Sequence, residues 1–118
     1  MTSRTAGRHG EDLAARWLEE QGCAILDRNY SCRWGELDLV AEWTVRGEKL
    51  IAFTEVKLRR DGDFAPAYAA VTAGKRDRLR KAALCWLADR GRDDPARFDV
   101  IEIYTGAGEL RHIPNAFE

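Results

Sequence analysis

The sequence predicts an α/β fold: a mixed sheet flanked by helices, in the order α-β-β-β-α-β-β. Three observations carry that prediction. Residues 10–21 and 72–90 repeat apolar side chains at helical spacing. Five other stretches are short, apolar and bounded by turn residues. The first three strands follow one another directly, whereas a helix-length segment separates the third from the fourth. That length suits a crossover between parallel neighbours, so the sheet is expected to be mixed. The 118 residues are read as one domain, 1–118, long enough for a hydrophobic core.

The elements follow in order. In the first helix, Leu13, Ala14, Trp17 and Leu18 make one apolar stripe and Gly22 offers a C-terminal stop. Residues 23–30 make the first strand, 35–44 the second and 49–58 the third, with Arg46-Gly47-Glu48 as a turn. The third strand is apolar on both faces up to Glu55, the pattern of a central strand. Residues 59–70 contain Gly62 and Pro66 and read as a mobile loop. Thr72 caps the second helix and Gly91 ends it. Its buried stripe is Leu79, Ala82, Ala83, Trp86 and Leu87, and Lys75 heads that stripe. Residues 98–104 make the fourth strand, and Gly106-Ala107-Gly108 turns the chain into a last strand at 109–113.

Composition narrows the function. With 45% apolar and 33% charged residues, the chain reads as an ordinary soluble protein. No apolar run approaches the ~18 residues of a membrane span. The N-terminal stretch has no apolar signal segment, so a cytoplasmic protein is expected. Cys23, Cys32 and Cys85 match neither a zinc pattern nor a disulfide framework and read as free thiols. The net charge of −1 argues against a general nucleic-acid coat. Yet Lys57, Arg59 and Arg60 form one basic cluster and Lys75 to Lys81 another, which suits local phosphate contacts.

The most informative residues are Asp38, Glu55 and Lys57. Charges are costly in apolar strands unless they are paired or bind something. Glu55 and Lys57 are two apart and share a face. Sixteen residues separate Asp38 from Glu55, enough for a turn and the return of a neighbouring strand. Strands ~4.8 Å apart could bring the three groups around one divalent ion. An E-x-K triplet alone is more often a solvated ion pair, but Ile51 and Phe53 precede Glu55 on its own face. Glu36 shares a face with Asp38 and reads either as its neighbour or as a solvated carboxylate. Glu11 borders the buried stripe of the first helix. It reads equally as a site residue or as a carboxylate favoured in a first helical turn. His9 and His112 read as surface or hydrogen-bonded side chains. Trp34, Phe64 and Tyr68 read as packing residues before base-stacking ones.

Seven stretches together resemble a known family: GRHGEDLAARWLEEQG, ILDRNY, WGELDLVA, FTEVKLR, VTAGKRDRLRKAA, RFDVI and HIPNAF. They cover nearly the whole chain, which resembles the YraN-like family of small uncharacterised bacterial proteins. That family is similar to the PD-(D/E)XK nucleases, with their restriction-endonuclease-like fold, and to archaeal Holliday-junction resolvases. The resemblance implies that Asp38 takes the first acidic position of the motif, Glu55 the second and Lys57 the lysine. Glu11 would match the acidic residue of the first helix, and Lys75 the basic or amide residue of the helix after the lysine strand. Leu37 stands where the motif name has proline, a position without chemistry.

The expected activity is therefore Mg²⁺- or Mn²⁺-dependent hydrolysis of phosphodiester bonds, with branched or structured DNA as the first substrate. Asp38, Glu55 and the Val56 carbonyl are the expected metal ligands. Lys75, Arg59, Arg60 and Arg76 are the expected phosphate anchors. A homodimer is compatible with one small site cutting two strands. The alternative is a non-cleaving nucleic-acid or protein-binding module on the same fold.

Overall fold

The computed structural model of the chain describes residues 3–60, 71–106 and 108–117, with side chains from Arg8 onward. Seven elements appear in the expected order: α1 (Ser3–Glu20), β1 (Ala24–Cys32), β2 (Gly35–Val45), β3 (Glu48–Arg59), α2 (Ala73–Arg90), β4 (Ala96–Tyr104) and β5 (Leu110–Phe117). The expected loop at 59–70, with Phe64 and Tyr68, falls almost wholly outside the described residues, as does Ala107 in the last turn.

The five strands lie side by side in chain order. β1–β2, β2–β3 and β4–β5 are antiparallel, and β3–β4 is parallel. Arg46 and Gly47 close the β2–β3 hairpin with φ of 52° and 81°. Both are left-handed, as a two-residue type I′ turn requires. α2 supplies the crossover that the parallel pair needs. Thr72 accepts a hydrogen bond from the Lys75 N–H at its start. Gly91, at φ 62°, donates back to Leu87 and Ala88 at its end.

One helix covers each face of the sheet. Leu79, Ala82, Ala83 and Trp86 of α2 pack on Val40, Ile51, Phe53 and Val100. Ala14, Ala15 and Leu18 of α1 pack on Leu39, Ala41, Ile101 and Ile103. Faces alternate along β3: Ile51 and Phe53 face α2, while Val56 and Leu58 face α1.

Two elements are longer than their local sequence suggests. α1 begins seven residues before residue 10. Gly10 reads as a helix boundary but is an interior contact, since a Cβ there would lie 2.7 Å from Leu58 Cδ2. β5 continues beyond residue 113 because Phe117 is buried and stacks on Phe98, with ring centroids 4.9 Å apart. Tertiary packing overrides the weak strand propensity of Pro114 and Asn115. The three cysteines are free, as expected.

Candidate functional site

The β2–β3 ladder runs from Val45↔Glu48 to Leu39↔Thr54 and stops. Asp38 and Glu55 follow at the point where the strands part. Here the Val56 N–H donates to Asp38 Oδ2 at 2.9 Å, so a carboxylate occupies the place of a backbone acceptor. Glu55 points towards α2, like Phe53 before it. Lys75, in the first turn of α2, places its Nζ 3.7 Å from Glu55 Oε2. The Glu55 side chain is only 12% exposed, against 43% for Lys75.

Two carboxyl groups this close and this buried do not both ionise readily. Burial, followed by the Asp38 charge, pushes Glu55 up to about 8, and Lys75 opposes the rise. Burial also raises Asp38, against the Val56 N–H, a hydrogen bond with Glu55 and the charge of Lys75.

Glu11 reaches the same place from the opposite face. Its carboxyl is raised first by burial and next by the charge of Asp38, and a hydrogen bond with Asn29 opposes the rise. Because α1 starts at Ser3, Glu11 lies in its third turn. The first-turn explanation for this carboxylate is thereby removed. Asn29 went unnoticed in the sequence. Between the pairs Arg28↔Leu39 and Tyr30↔Leu37 it lies opposite Asp38. Its φ of 53° is a conformation that asparagine tolerates better than most residues. An asparagine interrupting a strand-like run was the available signal.

The structure thus brings Asp38, Glu55 and Lys75 together and sets Glu11 beside Asp38. Lys57 lies on the Glu55 face, exposed, and makes no ion pair among the described residues. Glu36 is exposed. Arg60 is exposed and Arg76 half-buried on α2. Arg59 requires a correction. It is buried and paired with the buried Glu102 on β4, so its charge is spent inside the fold and is not a phosphate anchor. The parallel register that sets Lys57 beside Glu102 delivers this partner.

A second polar cluster, also unforeseen, lies at the other end of the α1 face. Fully buried Asp99 accepts from Arg97, from the Asn115 N–H and from His112 Nε2. His112 stacks on Trp43 with centroids 5.6 Å apart, satisfying the hydrogen-bonded reading of that histidine. Among the described residues, no three His, Cys, Asp or Glu side chains form a ready-made metal cluster. Among the described residues, no helix is long and apolar enough to cross a membrane.

Residues 10–103 match the model of a family described as "Uncharacterised protein family UPF0102". A UPF0102 protein of Geobacter metallireducens is 48% identical, with all of this chain and 96% of that protein aligned. One of Pelobacter propionicus is 45% identical over 98% of this chain and 84% of its own. One of Rhodococcus jostii is 45% identical over 94% of each. Together the fold-wide match and these relatives establish that the chain belongs to the UPF0102 family.

Proposed function

We propose that this chain is a metal-dependent phosphodiesterase acting on nucleic acid, with its reaction centre at the fork between β2 and β3. The observation that carries this reading is the buried Asp38–Glu55 pair at the end of a ladder, approached by Lys75. A strand end that buries two carboxylates against one ammonium is short of positive charge, and a divalent cation supplies it.

The donor set fits magnesium or manganese. Mg²⁺ takes hard oxygen ligands and keeps several waters, so one or two carboxylates suffice without a closed protein cage. Asp38 and Glu55 would hold the ion, with the Val56 carbonyl as the further protein ligand. Such an ion would supply polarisation of the scissile phosphate and a more acidic water. The remaining work falls to the chain. The Val56 N–H fixes the Asp38 carboxylate through Oδ2. Glu11 accepts a hydrogen bond from water at the α1 side. Exposed Lys57 stabilises charge developing on the phosphate. Lys75 offsets part of the Glu55 charge and would contact a flanking phosphate. Arg60 and Arg76 extend the phosphate contacts. DNA, branched or otherwise structured, is the first substrate to try, on the strength of the resolvase resemblance.

A second reading has one observation in its favour: the Glu55–Lys75 ion pair already satisfies part of the charge. On that reading the chain binds nucleic acid or protein without cutting. A cleavage panel separates the two. It comprises linear duplex, flapped, single-stranded and four-way-junction DNA, with Mg²⁺ and with Mn²⁺. The nuclease reading expects cutting that Asp38→Asn abolishes. No cutting of any substrate with either metal leaves the binding module as the function.

A further inference from the structure

We infer that the β1–β2 hairpin tip and the first half of α2 form a binding strip for a nucleic-acid phosphate backbone. The strip leads away from the Asp38–Glu55 pair, and its direction rests on the function proposed above. Residues 73–81 carry Lys75, Arg76, Arg78, Arg80 and Lys81 against the one acid Asp77. A helical segment this unbalanced is stabilised by a nearby anion.

Three of these cations line up with the hairpin. Lys75 contacts Glu55. Three residues on, Arg78 packs against Gly35, its Cβ 3.9 Å from where a Gly35 Cβ would sit. Three further on, Lys81 sets its Nζ 4.6 Å from the Trp34 ring centroid. Arg33 brings its guanidinium 4.5 Å from the same centroid. The indole therefore holds two cations at the tip of a two-residue turn, each attracted by its ring. Lys81 has Asp77 as a partner at 3.1 Å. Arg33 and Arg78 have no carboxylate within ion-pair distance among the described residues, and both are exposed.

The spacing suits a backbone. At ~1.5 Å rise per residue, Lys75 to Lys81 spans ~9 Å of helix. A DNA strand presents one phosphate per ~3.4 Å of duplex axis. The strip is thus two to three phosphates long by that count, and Arg33 extends it past the tip. Trp34 acts as the anchor that fixes the charges, which makes it more than a packing residue.

The test uses the full chain and a fluorescein-labelled 30-nucleotide DNA, single-stranded and as duplex. Binding is read by anisotropy in EDTA, without turnover, across a salt series. Arg33→Gln, Arg78→Gln and Lys81→Gln combined should weaken binding at least tenfold. The slope of log affinity on log salt should fall by about 2–3, at ~0.7–0.9 per lost phosphate contact. Arg78→Gln alone should lower the slope by about 1, and it spares the Trp34 contacts if the triple variant melts early. Arg46→Gln with Lys49→Gln, at the opposite end of the sheet, should change neither quantity. Phosphatidylserine vesicles at equal charge should compete weakly.

Unchanged affinity and slope in Arg78→Gln and in the folded triple variant would overturn the inference, as would a wild type that binds no DNA. Vesicles competing as well as DNA would overturn the choice of partner. A wild type that binds through the strip yet cuts nothing upholds the inference and removes the proposed cleavage.

Discussion

At the scale of single residues, the fork makes a trade that can be measured. Glu55 and Asp38 crowd one buried site, so Glu55→Gln removes repulsion and should stabilise the metal-free protein by ~1–2 kcal/mol. The same variant, and Asp38→Asn, should lose cleavage by more than a hundredfold on whichever substrate the wild type cuts. Lys57→Ala should lose cleavage while keeping Mn²⁺ affinity by calorimetry, because an ammonium ligates no cation. Equal cleavage by wild type and Glu55→Gln would remove Glu55 from the chemistry. These carboxylates were legible in the sequence because charge inside apolar strands is rare without a reason. Arg59 misled for the opposite reason. Beside Lys57 and Arg60 it reads as one of three surface cations, and only the parallel register of β4 places Glu102 in reach. Asn29 was silent because its role depends on a left-handed φ that composition does not announce.

At the scale of elements, α1 and the β4–β5 pair offer the sharpest checks. Gly10 lets α1 lie close on β3. Gly10→Val should therefore cost ~1–3 kcal/mol through overpacking, read as a lowered urea midpoint. A midpoint unchanged in that variant would mean that α1 yields without strain. The β4–β5 pair is tied by Asp99. Burial alone would raise its carboxyl, but His112, the Asn115 N–H and Arg97 outweigh burial and hold it below the usual 3.8. A carboxyl depressed by folding adds stability above its unfolded pKa and loses it as pH falls through the folded one. Asp99→Asn should thus lose ~2–4 kcal/mol at neutral pH, leaving Arg97 and His112 without their anion. It should also flatten the stability decline below about pH 4. A wild-type slope retained by the variant would assign that decline to other carboxylates. Strand and helix identities were readable from periodicity. Lengths were less so, because α1 and β5 are extended by contacts with distant Leu58 and Phe98 rather than by their own residues.

At the scale of the whole molecule, topology followed from spacing. A short hairpin at Arg46-Gly47 forces an antiparallel pair, and an 18-residue helix between β3 and β4 permits a parallel one. What spacing did not give was the placement of α2, which leans over β1 and β2 with Trp86 bonded to Asp27 and Tyr30 to Asp89. That lean sets Arg78 and Lys81 against the hairpin tip. The sheet also protects its own margins. β1 carries a bulge between Ile25 and Asp27 and left-handed Asn29. β5 carries Pro114 and left-handed Asn115. Such irregularities discourage strand addition at both edges. Metal linkage belongs to this scale too. Mn²⁺ at 100 times its dissociation constant should stabilise the wild type by about 2.7 kcal/mol, raising the midpoint by roughly 10 °C for a chain of this size. Asp38→Asn and Glu55→Gln should show no such rise, and a rise that survives both would locate the ion elsewhere.

The bond from the Val56 amide to Asp38 has a consequence of a different kind. It makes one backbone nitrogen a resident reporter on the carboxylate pair. Any change in charge at Asp38, by a proton or by a cation, alters the polarisation of that single N–H. In a ¹⁵N-resolved spectrum the Val56 cross-peak should move with metal before any other strand amide does. Its hydrogen exchange should accelerate in Asp38→Ala, while Thr54, paired with Leu39 at the end of the intact ladder, stays slow.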